Sequence, residues 1–258
     1  MMRRLKLGNR TLLRIALYAI PSVCIIDGLL VEPGWIRTRK LDLGGKEPTH
    51  RIVHFTDLHY TGDRKTLKGV VDKINKLDPD FVCFTGDLVD EKEYLGEALA
   101  LLRKIRRPVF GVPGNHEYWC GAPFDEISEA FRATGGAWLV DQAVESPDGK
   151  IIIVGASNHD AAFIKKEPLG KSLLLTHYPS FVDLVKGAKF NLILAGHSHG
   201  GQLRIPFWGA VAVPWGTGPY EMGSYQTAAG PLYVNPGIGT FYLPVRLFCR
   251  PEITEITF

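Results

Sequence analysis

The run Ile52-Val53-His54-Phe55-Thr56-Asp57-Leu58-His59 decides how the rest of the chain is read. A mostly apolar segment of strand length leads at once into a carboxylate and an imidazole two positions apart. The pattern then returns. Phe81-Val82-Cys83-Phe84 runs into Thr85-Gly86-Asp87-Leu88-Val89-Asp90, and residues 109–112 into Pro113-Gly114-Asn115-His116-Glu117. Residues 173–175 lead to Thr176-His177, and Leu192-Ile193-Leu194-Ala195 to Gly196-His197-Ser198-His199. Short continuous apolar runs of this kind fit strands buried on both faces. Further strands are expected at 151–154, 232–234 and 253–258. Leu67, Val70, Val71, Ile74 and Leu77 recur at three- and four-residue intervals, which predicts a helix over 64–77 ended by Asp78-Pro79. Helices are also expected over 95–105 and 124–131. Strands alternating with amphipathic stretches are the βαβ rhythm of an α/β fold, whose strand ends gather at one edge where ligands bind.

Carboxylate, imidazole and amide side chains at five strand ends form a donor set of oxygen and nitrogen, suited to Mn, Fe, Zn or Co rather than to Ca or Mg alone. Asp57, His59, Asp87, Asn115, His177, His197 and His199 are too many for one tetrahedral ion. Two ions sharing a bridging carboxylate are the natural partition, and such a pair holds a hydroxide for in-line displacement at phosphorus. Gly86, Gly114 and Gly196 are expected where the backbone turns sharply at a strand end.

Asp57-x-His59, Gly86-Asp87-x-x-Asp90, Gly114-Asn115-His116-Glu117, the later His177 and Gly196-His197-x-His199 together resemble the motif set of the calcineurin-like metallophosphoesterases, from about Ile52 to the C-terminus. The resemblance implies an α/β fold, a two-sheet β-sandwich flanked by helices. It implies that Asp57, His59, Asp87 and His199 hold one ion, and Asp87, Asn115, His177 and His197 the other, with Asp87 as the bridge. It gives His116 the role of general acid or charge stabiliser at the phosphate, with Asp90 orienting its imidazole. Mn is the first expectation for both divalent ions, with Fe and Zn as alternatives. Glu32-Pro33-Gly34-Trp35, the segment from Gly196 to Pro206 and that from Leu243 to Glu252 resemble the membrane-associated bacterial branch, which includes phosphodiesterases and a UDP-2,3-diacylglucosamine pyrophosphatase of lipid A synthesis.

The 258 residues fit one large domain, and 45% hydrophobic with 22% charged residues is ordinary globular usage, which excludes collagen, coiled coil and a disordered chain. The net charge is +3, yet Arg3, Arg4, Lys6, Arg10 and Arg14 all lie in the first fourteen residues; without those five, residues 15–258 stand at −2. The body therefore lacks the positive field a nucleic-acid partner requires. Four scattered cysteines form neither a disulfide framework nor a zinc motif.

Residues 15–31 are a mostly apolar run after the basic cluster, interrupted by Pro21 and Asp27. A retained membrane anchor lying in the interface is preferred, with a cleaved signal peptide and a helix packed on the domain as alternatives. Residues 1–45 are read as anchor and approach segment and 46–258 as the metallophosphoesterase domain. The expected setting is the bacterial inner membrane with the domain on its cytoplasmic face. The expected partners are the membrane surface and a membrane lipid or lipid-linked nucleotide substrate, and the expected state is a monomer. The function expected is hydrolysis of a lipid-linked phosphoester or pyrophosphate, UDP-2,3-diacylglucosamine being the narrowest candidate. A soluble phosphodiester and a non-catalytic scaffold are the alternatives. His50 and His54 read as ordinary first-strand residues, His159 as a loop residue beside the pocket, and Glu117 as a residue that caps or turns after the Asn-His pair. The aromatic stretch 203–220 is either exposed beside the site or a hairpin burying its rings.

Overall fold

Side chains of the strand Arg51–Phe55 divide between two cores, Ile52 facing one and Val53 and Phe55 the other, as the two-residue period of a strand requires. The computed structural model describes residues 9–43, 50–157, 161–164 and 167–258, with side chains from residue 17 onward. His159, the arginines and lysine before residue 9, and the expected boundary at 45/46 lie outside the described residues.

One six-stranded sheet runs in the order β1 (Arg37–Asp42), β14 (Glu252–Thr257), β2 (Arg51–Phe55), β3 (Phe81–Phe84), β4 (Val109–Gly111), β5 (Ala137–Trp138). The other runs β12 (Gly223–Thr227), β13 (Gly230–Val234), β9 (Leu192–Ala195), β8 (Lys171–Leu175), β7 (Ile151–Gly155), β6 (Gln142–Glu145). A two-stranded ribbon joins β10 (Arg204–Ile205) to β11 (Gly209–Ala210). β2 through β5 are parallel to one another, as are β7, β8, β9 and β13. Ile52, Phe81, Cys83 and Phe110 of the first sheet meet Ile153, Leu173, Leu175, Leu192 and Leu194 of the second in a shared core. The outer face of the first sheet packs on α2 (Arg64–Leu77), α3 (Leu95–Leu102) and α5 (Phe124–Ala133). Phe181, Val182, Val185 and Phe190 cover the outer face of the second. The fold is thus mixed α/β, with two sheets flanked by helices.

α2 spans the expected residues; Asp63 accepts from Thr66 N at its start, and Asp78 at φ +48° ends it. The regular helix over 95–105 stops at Leu102, because Lys104 and Ile105 bond only three residues back, to Leu101 and Leu102. β1 was not anticipated, since its Arg-Thr-Arg-Lys-Leu-Asp sequence has no apolar run. It pairs along its whole length with β14, so residues on the N-terminal side of 45/46 form the edge of the first sheet.

α1 (Asn9–Ile26) leaves Leu17, Ile20, Val23 and Ile25 exposed, and the window Leu17–Gly34 has a mean hydropathy of 1.4, long and apolar enough to cross a membrane. The residues after this helix are tied to the body. Gly28 O accepts from Arg246 N at 2.9 Å, and the Glu32 carboxylate accepts from Phe248 N at 2.6 Å and Cys249 N at 2.5 Å. The Arg250 guanidinium lies 3.5 Å from the Trp35 ring centroid.

Candidate metal centre

The segments that leave the C-terminal ends of β2, β3, β4, β8 and β9 meet above the shared edge of the two sheets. Asp57 N bonds to Gly86 O at 2.9 Å and Leu58 N to Asp87 O at 2.8 Å, so the loops after β2 and β3 run together. His197 N reaches the Asp57 carboxylate at 3.0 Å, fastening the second sheet to the first. Asp57, His59, Asp87, His197 and His199 all hold φ between +43° and +65°. Such backbone is uncommon outside glycine, and its concentration at five buried polar residues marks a site the surrounding structure over-determines.

The glycines have two different reasons. Gly86 does turn, at φ +98°, and a Cβ there would lie 2.5 Å from Gly114 N. Gly114 is extended, at φ −96° and ψ −169°, and Gly196 is not in the left-handed region either. Both are instead approached closely: a Cβ on Gly114 would meet Asp87 Oδ1 at 2.1 Å, and one on Gly196 would meet Thr56 Oγ1 at 2.2 Å. For these two, the expectation of a sharp turn is replaced by a requirement for space.

Asp57, His59 and His199 form one cluster and Asp87, His177 and His197 another, each with its donor atoms within 4.8 Å of one another. Asp87 Oδ2 stands between them, 3.5 Å from His59 Nε2 and 3.2 Å from His177 Nε2. Asn115 Oδ1 is 3.0 Å from His177 Nε2. The structure therefore brings together all seven residues that the sequence nominated as ligands.

The imidazoles are oriented from outside. His177 Nδ1 is 2.7 Å from Thr85 O, His197 Nε2 is 2.6 Å from Trp215 O, and His59 Nδ1 is 2.5 Å from Asp90 Oδ1. Each of these outer nitrogens donates to an oxygen that can only accept, which leaves the inner nitrogen of a neutral ring as a lone pair. The inner nitrogens face one another: His59 Nε2 and His199 Nε2 at 3.0 Å, His177 Nε2 and His197 Nδ1 at 3.0 Å. Lone pairs so placed beside carboxylates need protons or cations between them. Burial disfavours the His177 imidazolium, but the Asp87 carboxylate outweighs it and pushes this imidazole up to about 9. Burial also works against the Asp87 anion, yet His177 and His59 hold its carboxyl well below the usual range. In the protein alone, protons take up part of the role that the donor set offers to divalent ions, so metal binding here releases protons.

His116 lies beside both clusters without belonging to the seven. Its Nδ1 is 2.9 Å from Asp90 Oδ1, and its Nε2 is buried without a hydrogen-bond partner among the described residues. Asp90 thus touches both His59 and His116, a double engagement that spacing alone did not indicate.

Arg246 carried no role of its own in the sequence reading, and Glu117 only part of its role. Arg246 is fully buried and donates to Pro236 O at 2.8 Å and Cys249 O at 3.1 Å, while Cys249 Sγ reaches His199 O at 3.2 Å. Glu117, read as a cap or turn residue, does cap and is also fully buried. Its carboxylate accepts from Asp87 N at 3.0 Å, Leu88 N at 2.6 Å and Gly114 N at 2.7 Å. The signal was its place three residues after Gly114, the residue that caps the short helix α4 (Asn115–Trp119). Glu117→Ala should lower unfolding free energy by roughly 3 kcal/mol or more in denaturant titration, because three buried N–H groups lose their acceptor. Metal affinity should fall about 10- to 100-fold, as for outer residues that position ligands.

A family model described as calcineurin-like phosphoesterase matches residues 50–201. The chain belongs to this family. The metallophosphoesterase YkuE of Bacillus subtilis is 31% identical over 251 residues, covering 88% of this chain and 87% of its own length. Phosphodiesterase YaeI of Escherichia coli is 30% identical over 248 residues, covering 87% and 89%. The fold is shared with a dimetal phosphatase from Danio rerio at a TM-score of 0.50 and 11% identity, over 82% of this chain and 100% of that one. Family membership together with the paired clusters makes the protein a metal-dependent phosphoester hydrolase.

Proposed function

We infer that the substrate is a phosphoester or pyrophosphate linked to a membrane lipid. Asp57, His59, Asp87 and His199 would hold one divalent ion and Asp87, Asn115, His177 and His197 the other. Bound there, two ions supply an activated water and neutralise charge on the phosphoryl oxygens. The chain's own residues then divide the work. Asp87 sets the separation of the two clusters, Asp90 fixes the rings of His59 and His116, and the free Nε2 of His116 stands ready to meet a phosphoryl or leaving-group oxygen.

The observation that carries the lipid reading is the surface beside His197 and His199. Phe207 is fully exposed, Trp208 and Trp215 are 83% and 88% exposed, and Tyr242 and Leu243 project nearby. The ribbon of β10 and β11 thus leaves its rings outside rather than burying them. Exposed aromatic and aliphatic groups next to an apolar N-terminal helix suit work at a bilayer surface. The name of the relative YaeI favours a diester; the pyrophosphate of UDP-2,3-diacylglucosamine rests on the sequence segments alone. By the same reading the body sits at the cytoplasmic face of a bacterial inner membrane as a monomer, with Mn as the first metal to supply.

Full-length protein in detergent with Mn should hydrolyse a lipid-linked phosphodiester or UDP-2,3-diacylglucosamine with a kcat/KM at least tenfold above that for bis-p-nitrophenyl phosphate. Preference for the soluble diester would overturn the lipid assignment. Deleting residues through Ile26, which keeps Glu32 on Phe248 and Cys249, should release the protein from membranes and leave hydrolysis of the soluble diester unchanged. A truncated protein that still sediments with vesicles would move the membrane contact to the aromatic ribbon.

A further inference from the structure

Beside the metal clusters lies a hollow of about 340 Å³, lined by His199 together with Leu203, Val213, Phe241, Leu243 and Val245. A second hollow, of about 320 Å³, lies between the last turns of the N-terminal helix and the loop 243–247, where Cys24, Ile25 and Leu29 face Pro244 and Leu247. Leu203, Leu243 and Val245 line both, so the two hollows lie side by side against these three side chains. Taken together as one trough, they are lined in the first hollow by a residue of the metal clusters, His199, and in the second by the helix that is long and apolar enough to cross a membrane.

The trough is built rather than incidental. Gln202, three residues after His199, is buried and holds its wall: its side-chain amide donates to Leu243 O at 3.2 Å and Val245 O at 3.3 Å, and its carbonyl oxygen accepts from Phe241 N. Gln202 O also accepts from Leu247 N at 2.8 Å. The loop's polar backbone is thereby satisfied internally and turns carbon toward the trough. A passage walled by carbon cannot reward a sugar, a base or a peptide backbone, whose polar groups would lose water without gaining partners. It rewards a hydrocarbon chain.

We propose that this trough is the acyl-chain site: one chain of the substrate lies along Leu203, Leu243 and Val245, enters sideways from the bilayer past Ile25 and Leu29, and brings its phosphoryl group to His199. The proposal rests on the lipid reading above and adds to it a location and an entry route. Recognition is by chain length, and the headgroup on the far side of the phosphorus stays outside the trough.

Leu243 is mostly exposed, so Leu243→Glu puts a charge in the trough without disturbing the core. Ala212 lines the same hollow, so Ala212→Trp narrows it. Full-length variants in detergent are assayed on lipid phosphodiesters sharing one headgroup, with chains of six to sixteen carbons, and on bis-p-nitrophenyl phosphate. Leu243→Glu should lower kcat/KM about tenfold or more for the long chains and leave the soluble diester unchanged. Ala212→Trp should shift the preferred length downward. In metal-free protein, a monomeric alkyl phosphate brominated along its chain should quench tryptophan fluorescence in the wild type, and Leu243→Glu should weaken this. Wild-type lipid hydrolysis that neither variant alters, or a loss shared equally by the soluble diester, would overturn the trough assignment and leave the lipid reading standing. Failure of the wild type to hydrolyse any lipid while cleaving the soluble diester would overturn both.

Discussion

Asp87→Ala should abolish phosphoester hydrolysis and strip both metal ions from the protein. One carboxylate of this chain reaches both clusters: its Oδ2 stands 3.5 Å from His59 Nε2 and 3.2 Å from His177 Nε2, while its Oδ1 accepts from His116 N at 2.9 Å. Losing any other candidate ligand leaves one cluster whole; losing Asp87 opens both. Charge stabilisation by a metal pair is worth several kcal/mol, and each 1.36 kcal/mol is a factor of ten in rate. The expected loss is therefore roughly 10³-fold or greater. Asp87→Asn keeps the shape and an oxygen to accept from His116 N, so it separates loss of charge from loss of structure. It should fold normally by circular dichroism, bind less than one ion per chain by elemental analysis, and be nearly as inactive as the alanine variant. Near-normal turnover with two ions bound would sink the bridging role.

The strands that carry chemistry were legible because each wrote its own signature, an apolar run with a donor residue two to four places beyond it. Parallel strands then delivered those donors to one edge without further instruction. What stayed hidden is whatever depends on contacts between distant segments. Arg37 to Asp42 reads as a charged tether, and becomes a strand only because β14 offers a partner 215 residues away from Arg37. Glu32, just after the apolar N-terminal helix, is buried because it accepts two N–H groups from the loop at Phe248 and Cys249. Arg246 lies in a segment that stood out only for its resemblance to one branch of the family, yet its guanidinium collects the carbonyls of Pro236 and Gly239 beneath the centre. Gly114 and Gly196 were correctly marked as positions that need glycine, for a reason visible only when Asp87 and Thr56 are seen against them. Glu117 is the instructive case: its spacing from Gly114 announces a helix start, but not that its carboxylate would also take the backbone of Asp87 and Leu88.

His116→Gln should separate catalysis from metal binding. His116 sits against both His59, at 4.5 Å between ring centroids, and Asp90, so proximity alone would place it among the ligands. The hydrogen bonds argue otherwise. Asp90 Oδ1 is already engaged by His59 Nδ1 at 2.5 Å as well as by His116 Nδ1 at 2.9 Å, and the His59 ring is turned so that Nε2 serves the cluster with His199. An ion held by His59, Asp90 and His116, whose donor atoms also lie within 4.8 Å of one another, would have to take the nitrogens that now donate to that carboxylate. The remaining nitrogen, His116 Nε2, has no hydrogen-bond partner among the described residues, which is the condition of a group waiting for substrate. Removing a positioned acid or base costs typically about 10²- to 10⁴-fold. His116→Gln should therefore lower kcat by that order while both ions remain bound. Asp90→Asn provides the contrast, because it releases His59 as well as His116 and should lose metal affinity together with turnover. Metal loss in His116→Gln equal to that in Asp90→Asn would move His116 into the ligand set.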